Sequence, residues 1–134
     1  MAGLTFPLLH LSIPVSDLDR SLGFYEGLGG GPGRRASDWA DVWVFGGQIT
    51  LFENPTLAAR APEMGRTHFG ATLDKAEWEG LAERLDGSDS VVRGPLSEPA
   101  AGGVQHKLYL RDPDGWIVEL KAYDDPDAAL RRLA

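Results

Sequence analysis

Cysteine is missing from the 134-residue chain. Its absence excludes a disulfide scaffold and a thiolate metal site. Positive charge is scarce: 13 Lys and Arg stand against 20 Asp and Glu, a net charge of -7. Nucleic acid and anionic membrane are disfavoured as partners, because phosphate binding needs a basic face. No apolar run approaches the roughly 20 residues that span a bilayer. Residues Met1 to Phe6 carry no basic segment ahead of an apolar one, so no signal peptide is expected and the expected location is cytoplasmic. What is present, with 43% hydrophobic residues, is the composition of an ordinary folded domain.

The most informative stretch runs from Leu108 to Leu120. Asp112-Pro113-Asp114-Gly115 has turn chemistry: Pro fixes φ, Asp bonds its own backbone, and Gly accepts positive φ. The next residues, Trp116-Ile117-Val118-Glu119-Leu120, are strongly β-forming and hold one carboxylate among apolar neighbours. Such a carboxylate is costly unless something pairs with it.

Read from its start, the chain predicts a strand over Leu8 to Val15, with Leu9, Leu11, Ile13 and Val15 on one face. Ser16 is expected to cap a helix, with Asp19 three residues later. Leu18, Leu22 and Tyr25 follow at helical spacing, and the glycines from Gly27 to Gly31 stop it. Three strands are expected near Gly33 to Ala36, Trp39 to Phe45 and Gln48 to Glu53, with Gly46-Gly47 as a hairpin turn. Asn54 to Gly65 reads as a linker with a helical turn at Leu57 to Arg60.

The pattern then restarts. Arg66 to Leu73 is a strand, Asp74 a cap with Glu77 three later, and Trp78, Leu81 and Leu85 a buried stripe ending at Gly87. Ser90 to Arg93 is a strand and Gly94 to Gly103 a mobile loop. Asp125-Pro126 opens a short terminal helix. The repeat defines module one at 4–54, a linker at 55–65, module two at 66–123 and a C-terminal helix at 125–134 within a single domain.

Packing the apolar face of each first strand under its helix leaves His10 and His68 on the opposite faces, each six residues before its cap. By the same alternation Ser12, Gln48, Thr50, Gln105, Lys107, Tyr109 and Glu119 share that surface. Two imidazoles and one carboxylate suit a divalent cation with open coordination positions. Taken singly, either histidine reads as a surface or hydrogen-bonded group; the matched placement argues for more. Glu119 alone also reads as an edge residue or a partner of Lys121 or Lys107. His106 is expected on the helix side. Tyr109 reads equally as a group that orients a ligand and as ordinary packing, and Trp39 and Trp43 as an aromatic wall or as core.

These residues resemble the vicinal oxygen chelate superfamily, the glyoxalase, bleomycin-resistance and extradiol dioxygenase group. The carriers are His10 with Pro14-Val15-Ser16-Asp17-Leu18 and Phe24-Tyr25, then His68-Phe69-Gly70, then Asp112-Pro113-Asp114-Gly115 with Glu119 four residues on. The resemblance covers about Phe6 to Tyr123. It implies an α+β fold of two tandem βαβββ modules forming a partial mixed β-barrel, with His10, His68 and Glu119 as metal ligands and a homodimer as the assembly. Thr50 stands where glyoxalase I has a fourth, glutamate ligand, and Glu98 to Gly103 does not resemble the serine-rich potassium loop of fosfomycin-modifying enzymes. The chain is most similar to small extradiol-dioxygenase-like members, which share Gly33-Arg34, Trp39, Gly47-Gln48 and Gln105.

The function expected is that of a divalent-metal-dependent enzyme acting on a small substrate that chelates the metal through adjacent oxygens. Extradiol-dioxygenase-like or glyoxalase-like lyase chemistry follows from the resemblance. Fe2+ or Mn2+ is the expected ion, with Zn2+, Ni2+ or Co2+ as alternatives. Tyr109 is the expected catalytic side chain, and Arg34, Gln48, Thr50, Gln105 and Lys107 are expected to hold the substrate. The alternative is a small-molecule sequestering protein of the resistance type, without catalysis.

Overall fold

Period-2 alternation and helical spacing build the same unit twice. The computed structural model describes residues 3–131, which divide into two compact units at the boundary between Gly65 and Arg66. The first holds β1 (His10–Val15), α1 (Leu18–Gly27), β2 (Gly31–Arg35), β3 (Trp39–Val44) and β4 (Gly47–Glu53). A short α2 (Pro55–Ala58) and a 3-10 turn (Ala61–Met64) follow. The second unit holds β5 (His68–Thr72), α3 (Lys75–Arg84), β6 (Val91–Ala100), β7 (Gly103–Arg111) and β8 (Ile117–Tyr123), then α4 (Pro126–Ala129). This is the expected α+β architecture, strand, helix and three strands, twice over. The last residues of the expected terminal helix, 132–134, lie outside the described residues.

Each sheet is mixed and open. The orders are β1-β4-β3-β2 and β5-β8-β7-β6, with the first strand of each unit parallel to the last and the other pairs antiparallel. The strands that carry His10 and His68, β1 and β5, are therefore edges. One face of the first sheet packs on α1. Ile13, Val15, Ala40, Val42, Val44, Ile49 and Leu51 bury there against Leu18, Leu22 and Tyr25. In the second unit Leu108, Leu110, Val118, Leu120 and Ala122 bury, while α3 contributes Trp78, Leu81 and Ala82. Each large side chain so buried contributes about 1.5–3 kcal/mol. Trp78 Nε1 also donates to the Leu120 carbonyl at 2.8 Å, tying α3 to β8.

Several local expectations are corrected. The first helix is capped by Asp17, not Ser16: its Oδ1 accepts from the Arg20 backbone N–H at 3.0 Å, and Ser16 instead accepts from the Arg20 side chain. Asp74 occupies the cap of α3 but makes no side-chain cap bond, so the box with Glu77 does not form. Leu9 precedes the strand and is exposed rather than core. Leu85 lies just past α3 and is only half-buried.

The β3–β4 turn is Phe45-Gly46, both at positive φ, because Val44 pairs with Gly47. Two successive positive φ values match the twist of a two-residue hairpin. The helical turn foreseen at Leu57 to Arg60 begins earlier, where Asn54 Oδ1 accepts from the Leu57 N–H. The largest correction is Gly94 to Gly103. Most of it is strand β6, paired with β7 through Ala100 and carrying register shifts. Its prolines are tolerated because β6 is an edge.

Candidate metal and substrate site

The face of the first sheet turned away from α1 is polar. Cross-strand register aligns His10 with Gln48 and Trp43, then Ser12 with Thr50 and Asp41, then Pro14 with Phe52 and Trp39. His10 is exposed at the sheet edge. In the middle row the Asp41 carboxylate is buried at 1% exposure. Three side chains satisfy it: Thr50 Oγ1 donates at 2.6 Å, Arg34 Nε at 2.7 Å and Gln48 Nε2 at 3.2 Å. Burial alone would push this carboxyl up. The hydrogen bonds from Thr50 and Arg34, with the positive charge of Arg34 and a smaller contribution from His10, hold it below the usual carboxylate range. Arg34 also stacks over Trp39, its guanidinium carbon 5.1 Å from the ring centroid.

In the second unit β5 brings His68 to Glu119 of β8. Their Nε2 and Oε2 atoms stand 2.9 Å apart. Gly70 pairs with Glu119, and a Cβ at Gly70 would overlap the Glu119 carbonyl oxygen, so only glycine permits this approach. His68 Nδ1 lies 2.7 Å from the Arg66 carbonyl. A carbonyl only accepts, so the proton of the ring sits on Nδ1 and Nε2 faces the carboxylate. Two acceptors that close attract only with a proton or a cation between them. A carbonyl that orients the far ring nitrogen is the arrangement found behind metal-bound imidazoles. The donor set therefore fits a divalent ion. A cleft of about 210 Å³ opens here, lined by residues 68–72 with Glu119 and Lys121.

Tyr109 pairs with Glu119 on the same face and sets its ring edge-on to His68, with centroids 6.1 Å apart. Arg93, which the sequence did not single out, lies over that ring with its guanidinium carbon 5.8 Å from the centroid. Lys107 and Gln105 both face Glu98, whose Oε1 takes Lys107 Nζ at 2.5 Å and Gln105 Nε2 at 2.9 Å. The hydrogen bond to Glu98 keeps the Lys107 ammonium charged well into the alkaline range, against a desolvation that opposes it. Both residues thus have a resident acidic partner. His106 lies on the helix side as expected: it packs on Trp78, accepts or donates at Ser97, and contacts Asp124 at 2.8 Å.

The second unit thus brings together two of the three expected ligands and Tyr109, while His10, Arg34, Gln48 and Thr50 form a separate group on the first. Among the described residues no three His, Asp or Glu side chains gather closely enough to hold a metal. Asp41 was missed. The signal was available, since Trp39-Ala40-Asp41-Val42-Trp43-Val44 sets one carboxylate in an apolar strand just as the Glu119 strand does.

A duplicated βαβββ chain with imidazole and carboxylate on its polar faces defines a structural class. The family itself follows from comparison: the model of the Glyoxalase/Bleomycin resistance protein/Dioxygenase superfamily matches residues 8–120. The chain belongs to that superfamily. It is 26% identical over 118 residues to virulence protein STM3117 of Salmonella typhimurium, covering 85% of this chain and 82% of that protein. A glyoxalase/bleomycin resistance protein/dioxygenase from Alicyclobacillus acidocaldarius is 26% identical, with TM-score 0.75, 91% of this chain and 95% of that one covered. The fosfomycin resistance protein FosX from Listeria monocytogenes shares the fold at 19% identity and TM-score 0.71, covering 90% and 95%. No helix among the described residues is long and apolar enough to cross a membrane.

Proposed function

We propose that the protein is a divalent-metal-dependent enzyme whose small substrate binds through two adjacent oxygens, with extradiol-dioxygenase-like or glyoxalase-like lyase chemistry. The observation that carries the reading is the His68–Glu119 pair, 2.9 Å apart with the far imidazole nitrogen held by a backbone carbonyl. His10 is proposed as the third ligand, from this chain or from a second copy in a homodimer. Fe2+ or Mn2+ suits two imidazoles and a carboxylate with positions left open. Such an ion, when bound, supplies Lewis acidity toward the chelating oxygens. Tyr109 is the proposed catalytic side chain: its hydroxyl has no hydrogen-bond partner among the described residues, so it is free to exchange a proton with a ligand on that face.

The test is metal content and Co2+ binding of the purified chain. One ion per site is expected, and His10→Ala, His68→Ala and Glu119→Gln should each weaken binding at least about tenfold, since losing even an outer-shell partner has that effect. Full metal occupancy and full activity in His68→Ala would overturn the reading. Binding without catalysis is the second reading, supported by the exposed Trp43 on the polar face of the first unit. It predicts unchanged affinity for an aromatic ligand after chelation.

A further inference from the structure

We propose that Arg34 receives a carboxylate of the substrate and that buried Asp41 is the positioning residue that aims it; this rests on the metal-dependent reading above. The first unit has four basic side chains. Arg35 and Arg60 point at the exposed carboxylates of Asp19 and Glu63, and Arg20 turns to Ser16. Arg34 differs from them. Its Nε is committed to Asp41 and its plane to Trp39, while both terminal nitrogens have no partner among the described residues. An arginine anchored at Nε presents its two Nη groups as a fork, which matches the two oxygens of a carboxylate.

The sheet is built to hold that aim. The register between β2 and β3 shifts at Pro32 to Arg35, and such a bulge redirects a side chain. Gly33 lies directly over Asp41: a Cβ there would come within 2.8 Å of the Asp41 Cβ and 3.2 Å of Trp43 Nε1. Thr50 and Gln48 spend donors on Asp41, which removes them from the front rank of substrate contacts and makes them supports for it. Lys107 is already neutralised by Glu98. A carboxylate buried to 1% exposure beneath a mostly exposed arginine holds that arginine still, so less rotamer freedom is lost when a ligand arrives. Arg34 stands on β2, three strands from His10 on β1, but its Nε reaches Asp41 on β3, so the anchored guanidinium lies two to three strand spacings, about 10–14 Å, from His10 across the same polar face. That suits a substrate with chelating oxygens at one end of a ring and a carboxylate at the other.

The test compares catechol with 3,4-dihydroxybenzoate on the Co2+-loaded chain. Wild type should bind the carboxylated compound about tenfold to a hundredfold more tightly, the effect of hydrogen bonds to a charged group. Arg34→Gln should abolish the difference, the two compounds then binding with equal affinity. Asp41→Asn should keep catechol binding and lose most of the difference, and Arg34→Lys should restore only part. In the metal-free chain, benzoate should shift the Arg34 Nε–Hε resonance of wild type and not that of Asp41→Asn.

Equal affinity for the two compounds, or a difference that survives Arg34→Gln, overturns the inference. A benzoate shift at Arg34 without catechol binding keeps the anion site and sinks the metal reading. Absence of both sinks both.

Discussion

Asp112 gives the sharpest check on how the β7–β8 hairpin, and with it Glu119, is held. Asp112 is buried, and one carboxyl oxygen accepts three backbone N–H groups: Asp114 at 3.0 Å, Gly115 at 3.0 Å and Trp116 at 2.9 Å. The Gly115 N–H also bonds the Asp112 carbonyl, and Gly115 sits at φ 104, closed to other residues without strain. Asp112→Ala removes the acceptor from all three donors. At a net value of about 1 kcal/mol per hydrogen bond the loss is about 3 kcal/mol. With a urea slope of about 1.5 kcal/mol per molar, the midpoint falls by about 2 M. Urea titration followed by tryptophan fluorescence measures it, since Trp78 and Trp116 report the second unit. Asp112→Asn keeps an acceptor oxygen and should recover most of the loss. A midpoint for Asp112→Ala within about 0.5 M of wild type would refute the account of the turn.

Gly70→Ala should separate β5 from β8, because its new methyl would overlap the Glu119 carbonyl; loss of Co2+ binding with retained helical circular dichroism is the expected readout. The Asp124 carboxyl is held below its ordinary 3.8 by hydrogen bonds from His106 and then Lys75. A lowered carboxylate value means stability present above the unfolded value and lost as pH falls through the folded one. Asp124→Asn should therefore cost stability at neutral pH and converge with wild type as pH falls from 3.8 through the lowered folded value, measured as urea midpoints across that range. A constant difference down to the lowest pH would contradict the His106 and Lys75 contacts.

The polar face was legible in residue types and their period. Alternation put His10, Gln48, Thr50, Tyr109 and Glu119 on one polar surface; the register bears out the grouping within each sheet, His10 beside Gln48 and Ser12 beside Thr50 on the first and Tyr109 beside Glu119 on the second. Alternation is a property of each strand alone, so it survives any packing. The partners of those side chains were not legible. Glu98 reaches Lys107 and Gln105 only because Gly94 to Gly103 pairs as a strand, and its proline and glycine content gave the opposite expectation. Asp41 meets Arg34 across a register shift, which no count of residues foretells.

Period, turn chemistry and the doubled βαβββ order were encoded locally, since each depends on neighbours a few residues away. The anchoring of Arg34 by Asp41 and the pairing of Glu98 with Lys107 were settled by the folded sheets. Those outcomes depend on cross-strand pairing and on which polar atoms are sealed from water, and both arise only when strands distant in sequence come side by side.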